Sequence, residues 1–308
     1  MNIGQLKIVF FGSSEYSAHT LKALIEEGYL IVAIVTNPDS PQGRKKRLTP
    51  TPVKLVAQAA GLTILQPEKI NNNQEFFKLL NDLNVTLGIV VAYSKIIPKE
   101  ILDILPKGVL NIHPSLLPAY RGPSPVQTAI LNEEMETGVS IMRIDEEVDH
   151  GPILAQAKYQ IPLDAYTPQV THELFELGTE LLIQTIPDWI EHRVNLRPQD
   201  HTQATFTKKT TWPDGRIDWN QPAEKIYNQI RALNPEPGTW TTWKRGFQVK
   251  ILKILKAYPP TSRLSLESLK RFNLELPIIP QEVQLEGKRP IPFEDFLHGI
   301  GQKDLHFE

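Results

Sequence analysis

The chain has 308 residues, 41% of them hydrophobic, no cysteine and a formal net charge of −2. That length and apolar content are enough to bury cores in two domains, while the missing cysteines exclude disulfides, a thiolate nucleophile and Cys-based zinc or iron–sulfur sites. Up to Phe206 there are 17 Lys and Arg against 23 Asp and Glu, and beyond it 16 against 12, so an acidic part precedes a mildly basic one suited to an anionic partner.

Met1 to Gly12 reads as a short polar start and a strand, with no charged leader ahead of an apolar stretch. The longer apolar runs, such as Leu87–Tyr93, fall well short of the roughly 20 residues that cross a bilayer. A soluble, cytoplasmic chain without a membrane partner is the expectation. Leu6–Phe11, Ile31–Thr36, Thr63–Leu65, Leu87–Ala92 and Val109–Ile112 read as strands. Helical spacing lies between them: Ala18, Leu21, Leu24 and Ile25 before Gly28, then Val53–Ala60 before Gly61, then Phe76, Leu79, Leu80 and Leu83. The alternation predicts βαβ units, with strands buried on both faces and therefore continuously apolar.

Gly12-Ser13-Ser14 follows the first strand where a dinucleotide fingerprint would sit. Ser14 and Ser17 replace the glycines that let a backbone approach a pyrophosphate, which argues against an NAD-type oxidoreductase.

Further on, Val109-Leu110-Asn111-Ile112-His113-Pro114 is an apolar strand that ends in two polar side chains. Asn111 and His113 are two apart and share a face, and Pro114 stops pairing. The carboxyl edge of an open parallel sheet is where ligands bind. Gly138–Ile144 is another strand-like run, and the acidic loop Asp145-Glu146-Glu147-Val148-Asp149-His150 follows it. Its Gly151-Pro152 turn can bring Asp149 back toward the sheet.

Thr167-Pro168 opens a long amphipathic helix through Val170, Leu174, Leu177, Leu181 and Leu182. The next stretch, Glu191–Thr205, has no apolar period and reads as a linker. A helix over Pro222–Leu233 and strands over Thr239–Trp243 and Val249–Lys256 then predict a small helix-plus-β domain. The predicted organisation is 1–190, linker 191–206, and 207–308.

Several of these stretches together resemble the folate-dependent formyltransferase family: Asn111-x-His113 with Ser115-Leu116-Leu117-Pro118, Tyr120-Arg121-Gly122, Glu136-Thr137-Gly138-Val139-Ser140-Ile141 and Asp149-x-Gly151. The likeness runs through most of the first 190 residues. It implies a Rossmann-like sheet without a dinucleotide and a catalytic trio of Asn111, His113 and Asp149. It also implies a pocket for 10-formyltetrahydrofolate formed by Ala92, Tyr93, Ser115, Leu116, Leu117 and Pro118, a loop including Asp145 over the pterin, and no metal.

The chemistry agrees with those roles. Formyl transfer to an amine passes through a tetrahedral adduct whose oxygen becomes negative, and an uncharged Asn111 amide with a protonated His113 can donate to it. Asp149 or His113 can take the proton that the amine loses, and both assignments stand at this point.

The trio does not name the amine. Asp39 to Leu48 holds Arg44, Lys45, Lys46 and Arg47, and it resembles the basic loop of family members that formylate methionyl-tRNA, where phosphate contacts supply most of the affinity. Gly215–Trp219 and Ile230–Trp240 resemble the C-terminal open-barrel, OB-like module of those members. In that module Lys250, Lys253 and Lys256 are expected along one groove.

After Ala257 the chain departs from the pattern through Pro259-Pro260 and a helix-like Leu264–Phe272, which predicts a shortened barrel. His150, between Asp149 and Gly151, is a second departure and a spare titrating group. The expectation is a monomeric enzyme that formylates initiator methionyl-tRNA. The competing readings are an amino-sugar N-formyltransferase, a formyl-folate hydrolase and an inert RNA-binding module.

Overall fold

A computed structural model of the chain describes residues 6–43, 46–245, 248–263, 265, 267, 276–300 and 307. In order, the elements are β1 (Ile8–Gly12), α1 (Glu15–Glu26), β2 (Ile31–Val35), β3 (Ser40–Gln42), β4 (Arg47–Thr49), α2 (Pro52–Ala59), β5 (Ile64–Leu65) and α3 (Gln74–Asp82). Then come β6 (Leu87–Val91), α4 (Lys99–Ile104), β7 (Val109–His113), α5 (Pro125–Leu131), β8 (Glu136–Arg143), β9 (Ile153–Gln160) and α6 (Thr167–Ile190). Beyond them lie α7 (Ala223–Leu233), β10 (Thr239–Arg245), β11 (Gln248–Ala257), β12 (Pro280–Leu285), β13 (Ile291–Pro292) and α8 (Phe293–Ile300). Most of the helix expected over Leu264–Phe272 lies outside the described residues.

Two compact units result: residues 1–122, 137–159 and 172–206 form one, and 123–136, 160–171 and 207–308 form the other. The first is built on a seven-stranded sheet ordered β5-β2-β1-β6-β7-β8-β9. Pairing is parallel from β5 to β7 and antiparallel between β7 and β8. The expected α/β architecture is therefore present. Every residue of β1 and β6 is buried. Ile8 and Phe10 pack into one apolar cluster and Val9 and Phe11 into another, because alternate side chains of a strand face opposite sides of a sheet covered on both.

Strand order reverses at β1, which has β2 on one side and β6 on the other. Such a switch point is where doubly wound sheets accept ligands. Here Ser17 fills it. Its Oγ donates to the Val91 carbonyl at 2.6 Å and accepts the amide protons of Ser13 and Ser14. Ser14 Oγ in turn caps the Ser17 amide at 3.1 Å, so the two serines close a reciprocal capping box at the start of α1. A Cβ at Gly12 would fall 2.5 Å from the Ser17 Cβ, so the close approach requires glycine there.

The stretch expected as a linker, 191–206, packs within this first unit. Arg197 bridges Ile153, Phe206 bridges Arg121, and Gln199 is 5% exposed. Its polar composition serves side-chain hydrogen bonds, which an apolar period does not reveal.

The second unit carries an antiparallel sheet ordered β10-β11-β12-β13 where the small barrel was expected. Ile226, Tyr227 and Ile230 of α7 share its core with Trp243, Leu252, Ile254, Val283 and Phe296. Arg231 is buried, donating to Asn228 Oδ1 at 2.8 Å and to the Ala165 carbonyl at 3.2 Å.

The register corrects the expected lysine row. Lys250 pairs with the buried Trp243, on the face of Leu252 and Ile254, whereas Lys253 pairs with Trp240 on the opposite face. A spacing of three residues reverses a side chain in a strand of period two. Lys253 Nζ instead stands 5.1 Å above the Trp212 ring, which stacks on Trp240. Among the described residues no helix is long and apolar enough to cross a membrane.

Candidate functional site

The site is built at the end of β7. Parallel pairing sets Val90 beside Asn111 and Val91 beside Ile112, so Ala92 and Tyr93 leave β6 next to the two polar residues of β7. Asn111 is half-buried, and its amide has no hydrogen-bond partner among the described residues. His113 is 4% exposed. Its Nε2 is 3.0 Å from the Tyr120 carbonyl oxygen, and its Nδ1 is 3.4 Å from Asp149 Oδ1. Both neighbours are acceptors, so the ring serves both at once only as an imidazolium, which has two donors.

Asp149 reaches His113 from the connection between β8 and β9. Its φ of 51° lies in the left-handed region, which Asp tolerates better than most residues. The second carboxylate oxygen accepts the Gly122 amide proton at 2.8 Å. Two carbonyls of the same turn, Asp149 O and Gly151 O, accept from Gln199 Nε2 at 2.9 and 2.7 Å. The Oε1 of Gln199 accepts from Arg121 Nε and Nη2 at 3.1 and 2.7 Å. Gly151 is required here because a Cβ would fall on the Arg143 carbonyl oxygen.

The residues expected in a pocket separate into two groups. Ser115 is fully buried, with its hydroxyl donating to the Ala119 carbonyl at 2.6 Å, and Leu117 packs on Met142 and Ile153. These two side chains are engaged within the turn. Ser140 and Gln156 hold that turn: Ser140 Oγ donates to the Ser115 carbonyl at 2.7 Å, and Gln156 Nε2 to the Leu117 carbonyl at 2.9 Å. Leu116 and Pro118 are half-buried, and Ala92, at φ 44°, is exposed. Tyr93 packs its ring on Phe11, and its buried hydroxyl has no partner among the described residues. Burial pushes that phenol up to about 12.

Asp145 is engaged locally. One oxygen is 2.6 Å from His150 Nδ1 and the other accepts the Glu147 amide proton. His150 also stacks on His201, with ring centroids 4.0 Å apart and planes 2° from parallel, so it is a packed part of the loop. Arg44 and Lys45 lie outside the described residues. Lys46 and Arg47 are exposed at the turn of the β3–β4 hairpin. Asp39 anchors the base of that hairpin by accepting from Lys54 and Gln66, each at 2.8 Å. Those bonds, Gln66 first, hold its carboxyl below the usual range.

Sequence reading assigned no role to Gln199, to the Gly122 amide or, outside a motif, to Arg121. Their signal is a buried hydrogen-bond chain, and neither spacing nor hydropathy encodes it. Among the described residues no group of His, Cys, Asp and Glu can hold a metal ion.

Comparison with known proteins places these features in context. The formyl transferase model matches residues 6–186, and the formyl transferase C-terminal domain model matches residues 209–268. A methionyl-tRNA formyltransferase of Chloroflexus aggregans is 44% identical over 308 residues, covering 97% of this chain and 99% of that protein. One of Lysinibacillus sphaericus is 40% identical, covering 96% of each.

Among solved structures, an N-formyltransferase from Helicobacter canadensis in complex with folinic acid and dTDP-3-aminofucose is similar in fold. Its TM-score is 0.61 at 18% identity, covering 82% of this chain and 87% of that one. HypX from Aquifex aeolicus in complex with tetrahydrofolic acid gives a TM-score of 0.65 at 15% identity, covering 95% and 47%.

Proposed function

This chain belongs to the formyl transferase family, and from that membership we propose that it moves the formyl group of 10-formyltetrahydrofolate onto the α-amine of initiator methionyl-tRNA. The observation that carries the reading is the Asp149–His113 pair beside Asn111, in a chain whose curated relatives match it over nearly their whole length and are named for that reaction. In this reading the first unit holds the folate and the amine, and the second binds tRNA. The enzyme works as a monomer in the cytoplasm.

The residues present suit the folate co-substrate. The Asn111 amide and the Tyr93 hydroxyl, both without a hydrogen-bond partner among the described residues, offer a donor to the formyl oxygen and a polar group to the ring system. The amine nitrogen bonds to the formyl carbon, the adduct oxygen becomes negative, and Asn111 and His113 stabilise it. The amine proton is taken by the Asp149 carboxylate, or by His113 in its neutral form, which then gives up a donor to one of its two neighbours. Collapse breaks the bond between the carbon and N10 of the folate, which departs as tetrahydrofolate after gaining a proton.

Incubation with 10-formyltetrahydrofolate and charged initiator tRNA tests the assignment. Formyl-methionyl-tRNA should accumulate with multiple turnovers. Rapid formylation of an amino nucleotide sugar, with none of methionyl-tRNA, would replace this reading with the sugar-modifying one.

A further inference from the structure

We propose that Gln199, oriented by Arg121, is a positioning residue that sets Asp149 against His113. The inference rests on the catalytic reading of Asp149 given above. Gln199 has one amide group and uses all of it on this task. Both N–H donors go to carbonyls that flank the turn, Asp149 O at 2.9 Å and Gly151 O at 2.7 Å, and the oxygen takes two donors from one guanidinium. Arg121 cannot accept a hydrogen bond, so it fixes which end of the Gln199 amide is oxygen. The NH2 end must then face the turn.

Burial sharpens the effect. Gln199 is 5% exposed and Arg121 3%, so water does not compete for these bonds and an unmade one is costly. Arg121 Nη2 also lies 2.9 Å from His201 Nδ1. Since the guanidinium is the donor, that nitrogen is the unprotonated one, and a second residue of the 197–206 stretch is tied to the same arginine.

What is held is a sparsely populated backbone state, with Asp149 at φ 51°. Two bonds to carbonyls on either side of His150 keep the turn in that state. The carboxylate is thereby placed to reach Gly122 N at 2.8 Å and His113 Nδ1 at 3.4 Å together. Displacement of a catalytic group by about 1 Å costs on the order of 10²-fold in rate.

The experiment compares Gln199→Met, which keeps the length and loses every donor, with Asp149→Ala and with the double variant, in the formylation assay on the full chain. Gln199→Met should lower kcat by about 10- to 100-fold while either KM changes by less than about 3-fold. In the Asp149→Ala background it should lower kcat no further, since the two act as a unit. Hydrogen exchange at the Gly122 amide, protected by Asp149 Oδ2, should accelerate in Gln199→Met. Should that variant fail to fold, Gln199→Glu, which retains an acceptor for Arg121 and removes both donors, supplies the same comparisons.

Unchanged kcat, losses that multiply in the double variant, or unchanged Gly122 exchange would overturn the proposal. Full activity of Asp149→Ala instead removes the catalytic reading itself. Loss of activity in Asp149→Ala beside a normal Gln199→Met removes the positioning role alone.

Discussion

Asp149 Oδ1 stands 3.4 Å from His113 Nδ1, while its other oxygen holds the Gly122 amide proton. The carboxylate is thus shared between a side chain that can move a proton and a backbone group that fixes its aim. Asp149→Asn retains an acceptor for Gly122 and removes the charge, so kcat should fall by about 10²- to 10³-fold with the thermal midpoint little changed. Asn111→Ala should lose a similar factor, as expected for one oxyanion donor. Near-normal turnover in either variant would contradict the assigned role.

Tyr93 should act in the opposite direction on stability. Its phenol is raised to about 12 from an ordinary 10 by burial. The neutral side chain therefore contributes stability that is complete below pH 10 and is lost as pH rises through about 12. Its hydroxyl is also unpaired among the described residues. Tyr93→Phe should be stabilising by about 1 kcal/mol at neutral pH and should flatten the alkaline decline, both read from urea midpoints across pH 7 to 11. A lowered midpoint at pH 7 would show that the hydroxyl has a partner after all.

Gly151 tolerates no side chain, because the atom that a Cβ meets is the Arg143 carbonyl oxygen, which cannot swing away. Gly151→Ala should destabilise by about 1–3 kcal/mol. Since Gly151 O is also a Gln199 partner, kcat should fall as well. Chemical denaturation and steady-state kinetics on one preparation check both expectations.

Lys46 and Arg47 are exposed on the β3–β4 hairpin. If they meet tRNA phosphates, the logarithm of kcat/KM for methionyl-tRNA should fall steeply with the logarithm of salt concentration. Each charge removed by Lys46→Ala or Arg47→Ala should reduce that slope by about one. A flat wild-type profile would reject the contact.

Much of this was readable beforehand, for identifiable reasons. Strands buried on both faces leave continuous apolar runs, so β1, β2, β6 and β7 stood out. The polar pair Asn111 and His113 stood out against such a run in β7. The β9 strand was not anticipated: its Ile153–Gln160 stretch is buried at one end and mixed at the other, which blurs any period. The 191–206 segment was read as a linker because its contribution is made of hydrogen bonds given by Arg197 and Gln199 and accepted by His201. Hydropathy carries no trace of those. The Lys250–Lys256 row failed for a different reason: a three-residue spacing puts Lys253 on the face opposite Lys250 in any strand of period two, a parity the sequence itself carried, and the bulge near Lys256 shifts the register further.

The knot of serines at the start of α1 has a practical corollary. Because Ser17 and Ser14 take the amide protons of Ser13, Ser14 and Ser17 and tether the turn to Val91, introducing glycines alone would not convert this frame into an NAD enzyme. A redesign would first have to delete Ser17 and supply a new tie between helix and strand, since an incoming pyrophosphate would otherwise meet the Ser17 side chain and find the Ser13, Ser14 and Ser17 amides already bonded.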